Sequence, residues 1–164
     1  MQKLKSMGSS NFKSKIFVTG LFGSGKTHFS KKFVEKNGDY KFISFDKNYP
    51  YHDPDKGIKN IFKLIENGDK LIMDAVPPEN PIKSFEDYYL NNNCTIILVE
   101  CGDIDVWLGR LKSKYFYKEE NLDEYKKNYK DFYSKWVDDN LVNSHIRGDF
   151  YIYDNSIDNE PIVP

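Results

Sequence analysis

The feature that constrains this chain most is a glycine-rich motif enclosed between a short apolar segment and an amphipathic one. Residues 20–27 read GLFGSGKT and match the pattern G-x-x-x-x-G-K-[ST] at every fixed position. The apolar run at 16–19 has the β-branched and aromatic residues of a buried strand. Residues 28–37 have the periodicity of a helix. A chance match would lack this context, so we expect a strand, a phosphate-binding loop and a helix in succession.

The residue types in the motif suit the binding of a nucleoside triphosphate. Glycines lack a Cβ atom, so the loop backbone can turn tightly and bring its N–H groups against phosphate oxygens. The helix that follows adds its positive N-terminal end. Lys26 can reach the β- and γ-phosphates, and the Thr27 hydroxyl can ligate Mg²⁺. The residues expected to contact the nucleotide here are Gly20, Leu21, Phe22, Gly23, Ser24, Gly25, Lys26, Thr27 and His28.

The composition argues against several classes of protein. The chain has 164 residues, of which 39% are hydrophobic and 30% charged, as in a single globular domain. A net charge of -1 argues against a dedicated nucleic-acid binder, although a local basic patch stays compatible with it. No apolar stretch has the length of a membrane span, and no signal-peptide pattern opens the chain. Cys94 and Cys101 lack metal-ligand spacing, so we expect buried, reduced thiols and a cytoplasmic location.

Strands and helices are expected to alternate along the rest of the chain. Four further apolar runs predict strands at 41–46, 71–76, 95–100 and 150–154. Helical spacing separates them at about 58–65, 82–90, 103–111 and 122–137. The aromatic stripe of the last helix could pack in the core or stack on bases, and core packing is favoured. This order predicts an α/β domain over 15–155, with a five-stranded parallel sheet covered by helices on both faces. Flexible tails are expected at 1–14 and 156–164.

The carboxyl ends of the strands mark the expected binding edge. Ligands of open parallel sheets bind beyond these ends. The rule brings together the glycine-rich loop, Asp46 after the second strand, Asp74 in the third, and the segment after Glu100.

These motifs together resemble the small P-loop kinases, the group of nucleoside monophosphate, shikimate, gluconate and polynucleotide 5′-hydroxyl kinases. The resemblance covers about residues 15–155 and is carried by GLFGSGKT, FISFD, LIMDAVPP and TIILVECGDIDVWLGRLKSK. It implies a three-layer P-loop NTPase fold, ATP and Mg²⁺ as cofactors, and transfer of the γ-phosphate. No N-K-x-D signature of GTPase base recognition is present.

The resemblance also implies roles for two acids. Kinases of this group that act on hydroxyls often carry an aspartate after the second strand, so Asp46 is expected to accept the hydroxyl proton. The alternative is an acid that caps a turn or is solvated at the strand end. Asp74 is similar to a Walker B acid that holds Mg²⁺ with Thr27, and a substrate-binding role is its alternative. Asp74 precedes Ala-Val-Pro-Pro and not the Gly-x-Pro-Arg of nucleoside monophosphate kinases. This difference weakens the interpretation of the chain as a nucleoside monophosphate kinase.

The chain has two arginines, and the resemblance implies a role for each. Arg110 follows the fourth strand and its helix, where the family places a lid arginine over the phosphates, here with a lid at about 112–121. Arg147 precedes the last strand, where related kinases pack on the adenine. The alternatives are a surface cation for Arg110 and a plain surface turn for Arg147.

The expected function is therefore an ATP- and Mg²⁺-dependent kinase of a hydroxyl on a small metabolite, sugar or nucleoside, with Lys26, Asp46 and Arg110 as catalytic residues. Its partners would be a nucleoside triphosphate and a small-molecule acceptor, with no membrane; the oligomeric state is left open. A nucleoside monophosphate or polynucleotide kinase is the nearest alternative. A regulatory module that binds nucleotide without transfer is the alternative from another class.

Overall fold

The computed structural model describes residues 2–3, 12–50, 52–67, 69–74, 94–134 and 149–154. Its elements in chain order are β1 (Gln2–Lys3), β2 (Lys15–Thr19), α1 (Lys26–Lys36), β3 (Lys41–Ser44), α2 (Phe45–Asn48), α3 (Pro54–Ile65), β4 (Leu71–Asp74), β5 (Thr95–Glu100), α4 (Ile104–Leu111), a 3₁₀ helix (Glu119–Asn121), α5 (Leu122–Tyr133) and β6 (Asp149–Asp154). The helix expected at 82–90 and residues 135–137 of the expected last helix lie outside the described residues.

The described strands form one sheet in the order β1-β6-β5-β2-β4-β3, and all neighbouring strands are parallel. The five strands expected from the sequence are all present, so the predicted α/β class is confirmed. β2 lies between β5 and β4, with Val18 opposite Asp74 and Thr19 opposite Leu98. The loop that leaves β2 therefore begins beside the carboxyl ends of both neighbouring strands.

The described residues of the expected flexible tail, 2–3 and 12–14, belong to the fold, and residues 1 and 4–11 lie outside the described residues. Gln2–Lys3 pair in parallel with Tyr151 and Ile152 of β6 and add a sixth strand. Without them this side of β6 would present unpaired N–H and C=O groups. Phe12 is buried and its ring lies 5.4 Å from that of Tyr151. A two-residue strand of polar residues has no apolar periodicity, which is why the sequence did not indicate it.

Helices cover both faces of the sheet, as predicted. On one face Ile16, Val18 and Ile72 pack with Phe29 and Phe33 of α1. On the other face the core has two parts. Strand residues including Phe17 and Met73 pack on α3, and Leu98 and Ile152 pack with α4 and α5. Among the residues that the structure describes, no helix is long and apolar enough to cross a membrane.

The described side chains of the aromatic stripe on α5 pack in the core, as favoured from the sequence, and Tyr133 and Trp136 lie outside this description. Tyr125 and Phe132 are buried in the same cluster as Trp107 of α4, and Tyr129 packs against it. The Tyr129 hydroxyl donates to the Cys101 carbonyl at 2.7 Å, which fixes α5 to the end of β5. Both cysteines are buried and free of disulfides.

The second strand ends two residues earlier than expected. β3 stops at Ser44, whose side chain caps α2 by accepting from the Lys47 N–H at 3.5 Å. The Phe45 N–H donates instead to the Asp74 carboxylate at 2.9 Å. Asp46 therefore lies in the first turn of a short helix and not at the end of a strand.

Candidate nucleotide-binding site

The glycine-rich loop lies between β2 and α1, as the motif predicts. The backbone geometry explains why its three glycines are needed. Gly23 and Gly25 have φ angles of 77° and 99°, in the left-handed region that other residues rarely adopt. Gly20 is required for a different reason, since a Cβ there would collide with the Val99 carbonyl oxygen of β5. Gly25 immediately precedes α1, so the loop delivers its backbone to the positive end of an 11-residue helix.

Lys26 folds back over the loop. Its ammonium donates to the Gly20 carbonyl at 2.8 Å and to the Leu21 carbonyl at 3.2 Å. Desolvation by the surrounding protein lowers the pKa of Lys26 to about 8, and the negative charges of Asp74 and Asp46 partly oppose this shift. An arriving phosphate would offer the ammonium a stronger partner than two neutral carbonyls. The lysine is therefore poised to move from the loop to a ligand.

Thr27 and Asp74 are brought together as expected. The Thr27 hydroxyl donates to Asp74 Oδ2 at 2.6 Å, and Asp74 Oδ1 accepts from the Phe45 N–H. The register of β2 and β4 sets this contact, because Asp74 lies opposite Val18 near the start of the loop. The Asp74 side chain is buried, so its orientation is fixed by both hydrogen bonds.

This pair of side chains fits Mg²⁺. A hydroxyl and a carboxylate are hard oxygen ligands, and Mg²⁺ commonly takes one or two protein groups, with phosphate oxygens and water completing its shell. No group of three or more His, Cys, Asp or Glu side chains with metal-binding geometry occurs in the part of the chain that the structure describes. The oxygen atoms of Thr27 and Asp74 fit such an ion when phosphate oxygens complete its shell.

Asp46 lies near this centre. Its charge acts on the Lys26 ammonium, and its side chain is exposed in α2. The N-cap of α2 is Ser44 and not Asp46. The Asp46 side chain is thus in contact with solvent on the side of Lys26.

Arg110 lies in the last turn of α4 and is half-buried. One nitrogen of its guanidinium contacts the Cys101 sulfur at 3.7 Å, directly after β5. The side chain is therefore held near the carboxyl end of that strand, on the same edge of the sheet as the loop. Arg147 lies outside the described residues, so its expected contact with adenine stays a prediction.

The expected lid, residues 112–121, consists of turns followed by the 3₁₀ helix. Tyr115 is 100% exposed, and the Phe116 ring lies 5.7 Å from the Phe22 ring of the loop. At its far end the Lys118 N–H donates to the Tyr125 hydroxyl of α5 at 3.1 Å. Both ends of the segment are thus fixed, and its centre touches the loop through one aromatic contact.

Sequence reasoning missed the contact of Trp107 with the loop. The Trp107 indole N–H donates to the Phe22 carbonyl at 3.0 Å, over a separation of 85 residues. In the sequence this tryptophan is one more apolar residue in a helical stripe. Only the packing of α4 against the loop reveals the donor, and no local pattern would have indicated it.

The comparisons with known proteins agree with this architecture. A shikimate kinase from Acinetobacter baumannii in complex with shikimate is similar at a TM-score of 0.57 and 14% identity, over 90% of this chain and 86% of that one. An unliganded sugar kinase from Janibacter sp. is similar at a TM-score of 0.54 and 12% identity, over 85% of this chain and 84% of that one. A deoxyadenosine kinase from M. mycoides with dCMP and dCDP bound is similar at a TM-score of 0.51 and 20% identity, over 88% of this chain and 92% of that one.

No family model and no curated protein sequence matches the chain. The solved structures nevertheless cover 85–90% of it. The protein therefore has the fold of the small P-loop kinases, as the resemblance of its motifs implied.

Proposed function

We propose that the protein is an ATP- and Mg²⁺-dependent kinase that transfers the γ-phosphate to a hydroxyl group of a small metabolite, sugar or nucleoside. The observation that carries this proposal is the contact of Thr27 with Asp74 beside Lys26. It joins a phosphate-binding loop to a carboxylate on the neighbouring strand, as a triphosphate with its metal requires. The similarity of the fold to three kinases supports transfer over binding alone.

On the donor side, Lys26 would leave the Gly20 and Leu21 carbonyls to meet the phosphates. The loop N–H groups and Lys26 would hold the β- and γ-phosphates, and Thr27 and Asp74 would hold Mg²⁺, which neutralises charge on the phosphate oxygens. Most of the rate enhancement would come from positioning and electrostatic stabilisation, because charge in the transition state is spread over the phosphoryl oxygens. Arg110 and a lid at 112–121 would cover the phosphates and exclude water.

Asp46 is the proposed acceptor for the hydroxyl proton. It is exposed, it lies close enough to act on the Lys26 ammonium, and it does not cap its helix. A carboxylate there can orient the attacking oxygen and take its proton late in the transfer. A phosphate acceptor would be ionised already and would not need this base, so Asp46 favours a hydroxyl.

The distribution of arginine agrees with an acceptor of modest negative charge. Recognition of a phosphate or carboxylate commonly uses the paired donors of arginine. The chain has only Arg110 and Arg147, and neither lies between the loop and β5. The names of the similar structures refer to shikimate, a sugar and deoxyadenosine, all compounds that bear hydroxyl groups. A sugar, a nucleoside or a comparable metabolite is therefore the proposed substrate class.

An acceptor screen tests the proposal. Purified protein with Mg²⁺-ATP is offered nucleosides, nucleoside monophosphates, sugars, hydroxy acids and short oligonucleotides, and ADP release is measured. We expect one hydroxyl-bearing small molecule to raise turnover far above the blank. Stimulation by a nucleoside monophosphate alone would contradict the hydroxyl assignment. Stimulation by oligonucleotides, with activity that falls steeply with salt, would indicate a polynucleotide acceptor instead.

A further inference from the structure

The glycine-rich loop has a second support that lies outside its own motif, on helix α4. Asp103 caps this helix by accepting from two backbone N–H groups, which fixes the start of α4 directly after β5. Trp107, one turn further on, is fully buried and makes its hydrogen bond to the Phe22 carbonyl at 3.0 Å. The helix thus places a rigid, desolvated donor against the middle of the loop.

Several contacts hold the indole in this position. Its ring lies 5.3 Å from the Tyr129 ring and 5.8 Å from the Phe22 ring. Leu111, one turn along α4, packs against the loop at Gly23, where a Cβ would come within 3.1 Å of its side chain. Because the Trp107 indole is fully buried among these neighbours, the donor loses little rotational freedom when the bond forms.

The three consecutive carbonyls of the loop have different donors. Gly20 and Leu21 accept from the Lys26 ammonium, and Phe22 accepts from Trp107. A bound phosphate would compete for Lys26, because an anion is a stronger acceptor than a carbonyl. The bond from Trp107 needs no such exchange and can persist when the nucleotide is bound.

The geometry of the peptide bond connects this hydrogen bond to phosphate binding. The peptide unit between Phe22 and Gly23 is planar, and in the trans form its C=O and N–H point in opposite directions. A donor that holds the Phe22 carbonyl on the α4 side therefore turns the Gly23 N–H away from α4. The left-handed conformation of Gly23, with a φ of 77°, continues the turn from there.

We propose that Trp107 is a positioning residue for phosphate binding: its indole N–H fixes the Phe22–Gly23 peptide so that the Gly23 N–H is aimed at the nucleotide phosphates. The residue acts through the loop backbone and not by contact with substrate. The proposal rests on the proposed nucleotide site but not on phosphoryl transfer, because its effect is on the affinity for the diphosphate product. If the protein proves not to be a kinase, the effect of Trp107 on ADP affinity can still be measured.

The experiment compares Trp107→Phe with Tyr129→Phe. Each change removes one side-chain donor to a backbone carbonyl in the same hydrophobic cluster, and Tyr129 donates to Cys101 and not to the loop. Binding of ADP with Mg²⁺ is measured by titration calorimetry, and stability by urea unfolding. We expect both variants to lose stability. ADP should bind roughly 5- to 10-fold more weakly to Trp107→Phe, as for one lost hydrogen bond, and within about 2-fold of normal to Tyr129→Phe.

An analogue separates the N–H group from the volume of the ring. Trp107 is replaced by 3-benzothienylalanine, in which sulfur stands where the indole has N–H, and this form also serves if Trp107→Phe does not fold. We expect a loss of stability no larger than in Tyr129→Phe, and the same loss of ADP affinity as in Trp107→Phe. Equal ADP affinity in the analogue and the unmodified protein would overturn the proposal, as would equal weakening in Trp107→Phe and Tyr129→Phe.

Discussion

The glycine-rich loop and the segment 112–118 lie in contact, yet they are built differently. The loop is held by strand pairing beneath it, by glycine conformations, and by donors from Lys26 and Trp107. The first part of the segment has local turn hydrogen bonds, such as Lys114 N–H to the Leu111 carbonyl at 2.9 Å, and Tyr115 is fully exposed. At its end, Lys118 N–H donates to the Tyr125 hydroxyl of α5. The loop is thus formed before a ligand arrives, whereas the segment has little to hold its centre in place. We expect changes in the loop to affect both the nucleotide affinity and the chemistry, and changes in the segment to affect mainly the affinity.

The largest effect should come from Lys26→Ala. The ammonium is the side-chain cation in the loop, and its loss removes charge stabilisation of the phosphates in the transition state. We expect kcat to fall by about 10²–10³-fold or more, with the folded structure kept. Acceptor-dependent ADP release measures kcat, and circular dichroism measures whether the folded structure is kept. Lys31→Ala, an exposed lysine of the same helix, is the control and should keep normal activity. Near-normal turnover in Lys26→Ala would show that the loop is not the donor site.

Asp46→Asn should give the next largest effect. The change removes the proposed base with little change in shape, so we expect kcat to fall by about 10²-fold or more while KM for ATP changes little. Asp55→Asn is a matched control, because it removes the same charge from an exposed position in the first turn of α3. Equal activities of the two variants would argue for a phosphate acceptor.

The lowered pKa of Lys26 predicts a pH dependence of nucleotide affinity. The ammonium form of Lys26 attracts phosphate more strongly than the neutral amine, and burial lowers the pKa of Lys26 in the free protein to about 8. The affinity for ADP should be constant below about pH 7.5 and should fall as pH rises through 8, with proton uptake on binding. Calorimetry in buffers of different ionisation enthalpy measures both quantities. Lys26→Arg should remove the pH dependence in this range, because arginine stays charged.

The same shift has a consequence for stability, with the opposite sign. The pKa in the folded chain is below the value of 10.5 that an exposed lysine has, so the unfolded chain binds more protons between the two values. The burial of the charged Lys26 destabilises the free protein below about pH 8. That cost should be relieved as pH rises from 8 towards 10.5. Urea unfolding of wild-type protein and Lys26→Met across this range isolates the contribution of Lys26.

The smallest effect should come from Phe116→Ala. This change removes the ring contact between the segment and Phe22, and both rings are partly exposed at 37%. We expect KM for ATP to rise about 3- to 5-fold, as for the loss of one aromatic pair. Both kcat and the equilibrium constant of unfolding should stay within about 2-fold of the wild-type values. Tyr115→Ala, which removes the exposed neighbouring ring, is the control. A loss of kcat in Phe116→Ala as large as that in Asp46→Asn would contradict the distinction between the two regions.

The sequence could predict what local patterns and strand order determine. The strand, loop and helix around Lys26 follow from the spacing of glycines and apolar residues. The approach of Asp74 to Thr27 follows from the rule that ligands bind at the carboxyl ends of parallel strands. The second hydrogen bond of Asp74, from the Phe45 N–H, does not follow from that rule. The end of β3 was misjudged, because the apolar run continues through Phe45 while the capping side chain of Ser44 turns the backbone into α2.

Contacts between distant elements could not be predicted in this way. Trp107 reaches the loop from 85 residues away, and Gln2–Lys3 join β6 from the other end of the chain. Neither has a periodicity or spacing of its own. The packing of whole helices and strands decides such contacts, and a single sequence carries no direct record of it.

The most direct test of the central claim is the chemical form of the phosphorylated product. With the best acceptor of the screen, wild-type protein and Mg²⁺-ATP are followed by ³¹P NMR. The account predicts a phosphate monoester that accumulates with ADP in equal amounts and is absent with Lys26→Ala. A phosphoanhydride product, or ADP with free phosphate and no phosphorylated acceptor, would contradict it.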